Sequence, residues 1–472
     1  MSGFASFPGS DVRAKLDHPV IDCDAHVIEM PAAIEDFFKQ VAGNDAPERL
    51  NKARRQQYNQ QSKFLWWGVP SGPNTKDRAM SMLPKFFKTR MQEIGFDFAH
   101  FYSTAGIPGL YIQDDELRPA YCRALNMLYA EMYSDVKDCL RPVALIPTYT
   151  PEEGIAELDF AVNTLGHKAI MIGTEIIRPV NGIVGGEPFK TGSIAIDAPF
   201  DYDPFWQKCV DLKVAPVGHT AAIGNAYRNS PSNYVFNHLG AFGVGAEYFA
   251  RALFLGGVTR RFPQLSFGFL EGGAAWALNL LNDIVEHWEK RNVDHLEKNL
   301  DPSKVDVPLM VELFDKFGNK RLTSDRIRTM PFGPLSKPER PANFNEFDAC
   351  GMTEIDDLGD LFVKPFYFGC EADDRMTSVA FNRRLNPLGM KMNAVFGSDI
   401  GHWDVMDARS ILSEAWSLVD AQLITLEDFR DFTFTNPAML HLTVNPDYFA
   451  GTTVEAEAKK LLAKKKPKSK AA

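Results

Sequence analysis

The chain has 472 residues, 45% of them hydrophobic and 24% charged, with a formal net charge of −10. This is the make-up of a globular protein, with length for two or three average domains or one barrel with large insertions. An acidic body excludes nucleic acid as a partner, and the last 14 residues, KKLLAKKKPKSKAA, with seven lysines and no acid, read as a solvated, disordered tail.

Short apolar runs recur along the chain. The first is 18–27 (HPVIDCDAHV), followed by 105–112 (AGIPGLYI), 141–150 (RPVALIPTYT) and 168–176 (KAIMIGTEI). Four more lie at 214–220 (VAPVGHT), 265–273 (LSFGFLEGG), 364–371 (KPFYFGCE) and 392–400 (MNAVFGSDI). Their unbroken apolarity predicts strands buried on both faces of a parallel sheet. Helices are predicted between them over 116–137, 151–164, 203–212, 242–262, 274–292, 371–387 and 407–421, with Thr150 ahead of Pro151 as a cap. Eight strands alternating with helices predict the α/β class and a single (β/α)8 TIM barrel over residues 1–444. Two long connections, at about 35–100 and 296–363, are expected to cap the C-terminal face. Residues 445–472 are an extension ending in the basic tail.

No apolar run approaches the roughly 20 residues that cross a bilayer. The N-terminus lacks a basic stretch ahead of an apolar one, and the six cysteines are scattered with no CxxC. A cytoplasmic protein with no membrane partner is expected.

The polar residues of the predicted strands gather at their C-terminal ends: Asp24 and His26, His219, Glu271, Glu371 and Asp399. Barrel enzymes place their chemistry at that end. Period two puts Asp22, Asp24 and His26 on one side of the first strand, facing the axis. Unpaired charges there cost several kcal/mol, and a divalent cation is the simplest partner for a carboxylate and an imidazole at i, i+2. Asp24, His26, His219 and Asp399 make a two-His, two-carboxylate set. Asp22 is read as a supporting residue, and Glu371 as the N-terminal charge of the helix predicted after it.

Taken together, VIDCDAHVIE, APVGHT, RFPQLSFGFLEGGAAW, YFGCEADD, VFGSDIGHWD and FTNPAMLHL resemble the amidohydrolase-related family. This branch of the amidohydrolase superfamily contains aminocarboxymuconate-semialdehyde decarboxylase and resorcylate decarboxylases. The resemblance implies one divalent metal ion at the barrel mouth, zinc with manganese or iron as alternatives. It also implies Asp24, His26, His219 and Asp399 as ligands, with Asp399 moving protons as well. For Asp24 the alternative is an acceptor that orients an imidazole, and for Asp399 a helix cap. One departure stands out: Glu271 occupies the place of the family's strand-six histidine, and Ala274 that of the Glu after it. Glu271 is therefore the expected acid/base, or else a buried carboxylate held by the Gly272–Gly273 turn. His238 is expected to supply a pocket imidazole, and His402, Trp66 and Trp67 to contact substrate. Loss of the histidine favours hydrolysis of an amide, ester, lactone or C–C bond in a small apolar or aromatic compound. Decarboxylation of a carboxylated aromatic is the alternative, and a non-catalytic binding barrel the reading from another class. A homo-oligomer, dimer or tetramer, is expected.

Overall fold

The computed structural model describes residues 8–57, 68–179, 189–219, 230, 232–330 and 335–465. Eight strands form one sheet in chain order: β1 (Ile21–Val27), β2 (Phe98–Ser103), β3 (Leu140–Leu145), β4 (Ala169–Ile172), β5 (Pro216–Gly218), β6 (Phe267–Phe269), β7 (Phe366–Glu371) and β8 (Asn393–Gly397). Each pairs in parallel with the next. The seam between β8 and β1 is joined just past β8, where His26 N–H donates to the Ile400 carbonyl and Asp399 N–H to the Asp24 carbonyl, both at 2.7 Å. The result is a (β/α)8 TIM barrel, as expected. Its strands are buried almost throughout because helices cover the outside and packed side chains fill the inside.

Seven of the eight predicted runs contain a barrel strand. The run 105–112 does not: Gly106–Gly109 is a helical turn, and the second strand is the preceding segment, Phe98–Ser103. A histidine in mid-strand hides that strand in the sequence. His100 is fully buried, its Nδ1 3.0 Å from the Asp22 carbonyl oxygen and its Nε2 2.8 Å from the Tyr448 hydroxyl. Tyr448 belongs to the C-terminal extension, whose described part lies against the barrel: the Tyr448 carbonyl accepts from Arg141 at 2.7 Å, and Phe449 is buried.

The helices after β3 and β6, Pro151–Asp159 and Ala275–Arg291, fall where periodicity put them, and Thr150 caps the first by accepting from Glu153 N–H at 3.2 Å. The helix predicted over 371–387 is reduced to Thr377–Phe381. Glu371 therefore ends β7 and heads no helix.

The segment 296–363 is placed differently from expectation. It leaves the C-terminal end of Ala275–Arg291, which in a βα unit points away from the strand C-termini. There Phe347 packs on Trp288 and Glu346 pairs with Arg291 at 2.5 Å, so this part lies at the opposite face from the mouth. The segment after β1 does leave from the mouth side, and its helix Pro31–Ala42 packs on the outside, with Phe38 against Tyr121. Among the described residues no helix is long and apolar enough to cross a membrane.

Candidate metal centre

The end of β1 resolves the excess of charge in that strand. Its register slips by one residue between Asp22 and Ala25, so strict alternation fails. Asp22 turns to the seam and accepts from Asp24 N–H and Ser398 N–H, both at 3.0 Å, and from the Ser398 hydroxyl at 2.6 Å. Burial pushes its carboxyl up to about 7, against those hydrogen bonds. It is the supporting residue the sequence suggested.

Asp24 and His26 instead meet His219, which follows β5. Asp24 Oδ1 lies 3.3 Å from His26 Nε2 and 3.3 Å from His219 Nε2, and the two nitrogens are 3.0 Å apart. All three side chains are buried. Donor atoms each about 2.1 Å from a common ion, at tetrahedral or octahedral angles, stand roughly 3.0–3.4 Å apart. The triangle therefore fits one divalent ion, and Asp24 Oδ1 makes no hydrogen bond among the described residues despite its burial. Asp399 Oδ1 lies 3.4 Å from His26 Nε2, in a neighbouring group with Glu271 and His402 that shares His26 with the triangle. Burial works to raise the Asp24 carboxyl, but the His219 and His26 imidazoles outweigh it and hold it below the ordinary range.

Close approach here depends on glycine. A Cβ on Gly397 would stand 2.9 Å from Asp24 Cβ, and one on Gly401, at φ 118°, would stand 2.8 Å from the His26 carbonyl oxygen. Two carboxylates also sit in left-handed backbone, Glu271 at φ 58° and Asp399 at φ 52°. Such conformations are uncommon outside glycine and cluster at functional sites. The first helix after Asp399 is Ile411–Asp420, so Asp399 is not the cap of a helix opening at 403.

Glu271 Oε2 lies 3.7 Å from His219 Nε2 and has no hydrogen-bond partner among the described residues, so the Gly272–Gly273 turn does not hold that oxygen. Burial, then the charges of Glu371 and Asp24, hold its carboxyl well above the ordinary range. Asp399 is raised well above its range too, by burial and then by Glu271 and Asp404. His402 is brought in: its Nδ1 is 2.6 Å from Asp399 Oδ1, its Nε2 is 3.2 Å from the Thr104 hydroxyl, and its ring lies 3.9 Å from that of His26. His238 also faces the site, with a donor atom within 4.8 Å of Glu271 and Asp404. Trp66 and Trp67 lie outside the described residues.

Sequence reasoning missed Asp404, Tyr234 and Trp403, and it placed Glu371 at the head of a helix. Asp404 closes the motif that begins at Asp399, and its spacing of five was the available signal. Glu371 joins the same acidic group, where burial and then Asp404 push its carboxyl up to about 8. Tyr234 and Trp403, joined through Trp403 Nε1–H and the Tyr234 hydroxyl at 3.2 Å, flank a cavity of about 290 Å³. No spacing in the sequence links those two.

Barrel, converging donors and the order of the motifs agree with one further observation: a sequence model of amidohydrolases matches residues 21–323. The chain belongs to the amidohydrolase family. It is accordingly an enzyme of a family of metal-dependent hydrolases and decarboxylases. Solved structures share the fold at low identity. An amidohydrolase from Mycobacterium avium subsp. paratuberculosis matches with a TM-score of 0.54 at 15% identity, covering 90% of this chain and 99% of that one. A 2,6-dihydroxybenzoate decarboxylase from Rhizobium matches at 0.51 and 15%, covering 90% and 98%. A dihydroxybenzoic acid decarboxylase from Polaromonas sp., solved with bound manganese and 2-nitroresorcinol, matches at 0.51 and 16%, covering 92% and 99%.

Proposed function

We propose that this amidohydrolase hydrolyses a carbonyl-type bond, amide, ester, lactone or C–C, in a small uncharged or cationic organic molecule. The observation that carries this is the charge of the mouth. Asp24, Glu271, Glu371, Asp399 and Asp404 gather there, and none has a Lys or Arg within 4.0 Å among the described residues. A substrate carboxylate would find no Lys or Arg partner beside these groups among the described residues, whereas a neutral carbonyl compound needs none.

In this reading Asp24, His26, His219 and Asp399 hold one divalent ion. Manganese or iron suits a set with two carboxylates as well as zinc does. When bound, the ion supplies Lewis acidity, polarising a carbonyl and lowering the pKa of water. Asp399, whose ionised form a bound cation favours where burial and Glu271 oppose it, accepts the proton of the attacking water as a carboxylate, oriented by His402 Nδ1 at 2.6 Å. Glu271, whose carboxyl is held above the ordinary range by burial, donates a proton to the leaving group. Tyr234, Trp403 and His238 present an aromatic wall on which an apolar or aromatic substrate packs. Six free, buried cysteines fit a reducing cytoplasm. Leu309, Leu313 and Phe317, exposed on helix Val307–Phe317, fit an oligomer contact.

Turnover in H2(18)O separates the reactions: label in the product acid, with no CO2 from a panel of hydroxybenzoates, is the expected result. CO2 release without label overturns it in favour of decarboxylation. That second reading is favoured by the activity named for the Rhizobium and Polaromonas relatives.

A further inference from the structure

The C-terminal extension meets the barrel at a point that bears on the metal ligands. The register slip in β1 sets two residues, Cys23 and Asp24, against the single residue His100 of β2. A bulge of this kind re-aims the side chain it carries, and here that side chain is Asp24. His100 is fully buried, which pushes its pKa down to about 3, so the ring is neutral. Its Nδ1 lies 3.0 Å from the Asp22 carbonyl oxygen. A carbonyl only accepts, so the proton sits on Nδ1 and Nε2 offers a lone pair. The Tyr448 hydroxyl, 2.8 Å away, therefore donates to Nε2. We propose that Tyr448 is a positioning residue for the metal centre: acting through His100, it holds the bulge of β1 that turns Asp24 toward His26 and His219.

Three observations carry this beyond ordinary packing. The residue that His100 grips joins both segments that bear carboxylate donors. The Asp22 carboxylate accepts from Asp24 N–H and Ser398 N–H, both at 3.0 Å, and Asp399 N–H donates to the Asp24 carbonyl at 2.7 Å. A shift of Asp22 would therefore move Asp24 and Asp399 together. Next, the donor is itself fixed. The Tyr448 ring stacks on His441 at 4.1 Å and 5°, the Arg141 guanidinium lies 4.5 Å from that ring, and the Tyr448 carbonyl accepts from Arg141 at 2.7 Å. Finally, the hydroxyl exceeds what those contacts need. A phenylalanine would keep the ring and the carbonyl but would take from buried His100 Nε2 its hydrogen bond. The proposal rests on the reading that Asp24 helps to hold a divalent ion, and not on which reaction follows.

The test is a titration of metal-free full-length protein with Mn(II), reading affinity from the EPR signal of the free ion and stability from urea unfolding. Tyr448→Phe should weaken Mn(II) binding by about tenfold, the lower end of what partners behind a metal ligand contribute. His100→Phe should weaken it at least as much, and the double variant no more than His100→Phe alone, because the hydroxyl acts only through the imidazole. Phe449→Leu is the packing control. Phe449 is buried in the same extension, 5.2 Å from Phe98 and outside the relay, so this variant should lose stability and keep the parent affinity. Asp24→Asn tests the reading beneath. If it weakens binding while Tyr448→Phe binds like the parent, the positioning role is overturned and the metal centre stands. Losses that multiply in the double variant, or a Phe449→Leu loss as large as that of Tyr448→Phe, overturn the positioning role too. Parent affinity in Asp24→Asn, or no binding by the parent protein, overturns the metal reading and the proposal together.

Discussion

Replacing Glu271 by glutamine tests whether the mouth is built of mutually repelling carboxylates. Glu271 and Asp399 have donor atoms within 4.8 Å. At that distance and an effective dielectric of about 20, two unit charges repel by about 3.5 kcal/mol. Glu271→Gln keeps shape and removes the charge, so metal-free protein should gain up to about 3 kcal/mol at alkaline pH. With an unfolding entropy of about 2.1 cal/mol/K per residue, that gain raises Tm by roughly 3 °C in a chain of this length. The sign with pH follows from the raised carboxyl, which burial and then Glu371 and Asp24 hold up. The folded group keeps its proton to higher pH than the unfolded one, so its contribution favours folding in acid and is lost as pH rises. The gain in Glu271→Gln should therefore be small near pH 4 and largest above neutrality. Turnover should fall by about a hundredfold or more, because the proton donor is gone. Thermal melts of chelator-treated parent and variant across pH are the assay. A variant no more stable than the parent in alkali, or a gain that grows on acidification, would refute the reasoning.

Three other outcomes are expected. Removing an imidazole from the triangle, by His26→Ala or His219→Ala, should leave less than one tightly bound ion per chain and lower activity by three orders of magnitude or more, read by elemental analysis and kinetics. Gly397→Ala places a methyl group 2.9 Å from Asp24 Cβ; it should cost about 1–3 kcal/mol in denaturant unfolding and weaken metal retention as Asp24 shifts. Far from the mouth, burial pushes the Glu157 carboxyl up to about 7, against hydrogen bonds from Asn126 and Arg123. Its stabilisation is complete below the unfolded value of 4.5 and lost as pH rises through about 7, a change of about 3 kcal/mol that Glu157→Gln should abolish in urea titrations.

Much of the molecule is legible in local sequence, for reasons that lie in individual residues. A parallel barrel buries both faces of each strand, so runs such as KAIMI and MNAVFG announce themselves without any tertiary information. FAHFYS escaped because His100 breaks its apolarity, and what makes that histidine acceptable is Tyr448, 348 residues away. AGIPGLYI misled because apolar content does not separate a strand from a buried helical turn containing glycine and proline. The segment 296–363 misled for a topological reason: length shows that an insertion exists, while the end of the βα unit it leaves from is set by where the helix stops.

The sequence by itself determined the barrel and the chemical identity of the residues at its strand ends, because strands buried on both faces show as apolar runs and the polar residues that end them stand out. Tertiary structure alone decided which of the acids meet. The slip in β1 sends Asp22 to Ser398 and Asp24 to the imidazoles, although both sit on one side of an ideal strand. It also brought Glu371 and Asp404 to Asp399 and Glu271, turning separate surface-like residues into one buried field of charge. Electrostatics depends on distance through space and on exclusion of water, and neither is a property of spacing along the chain.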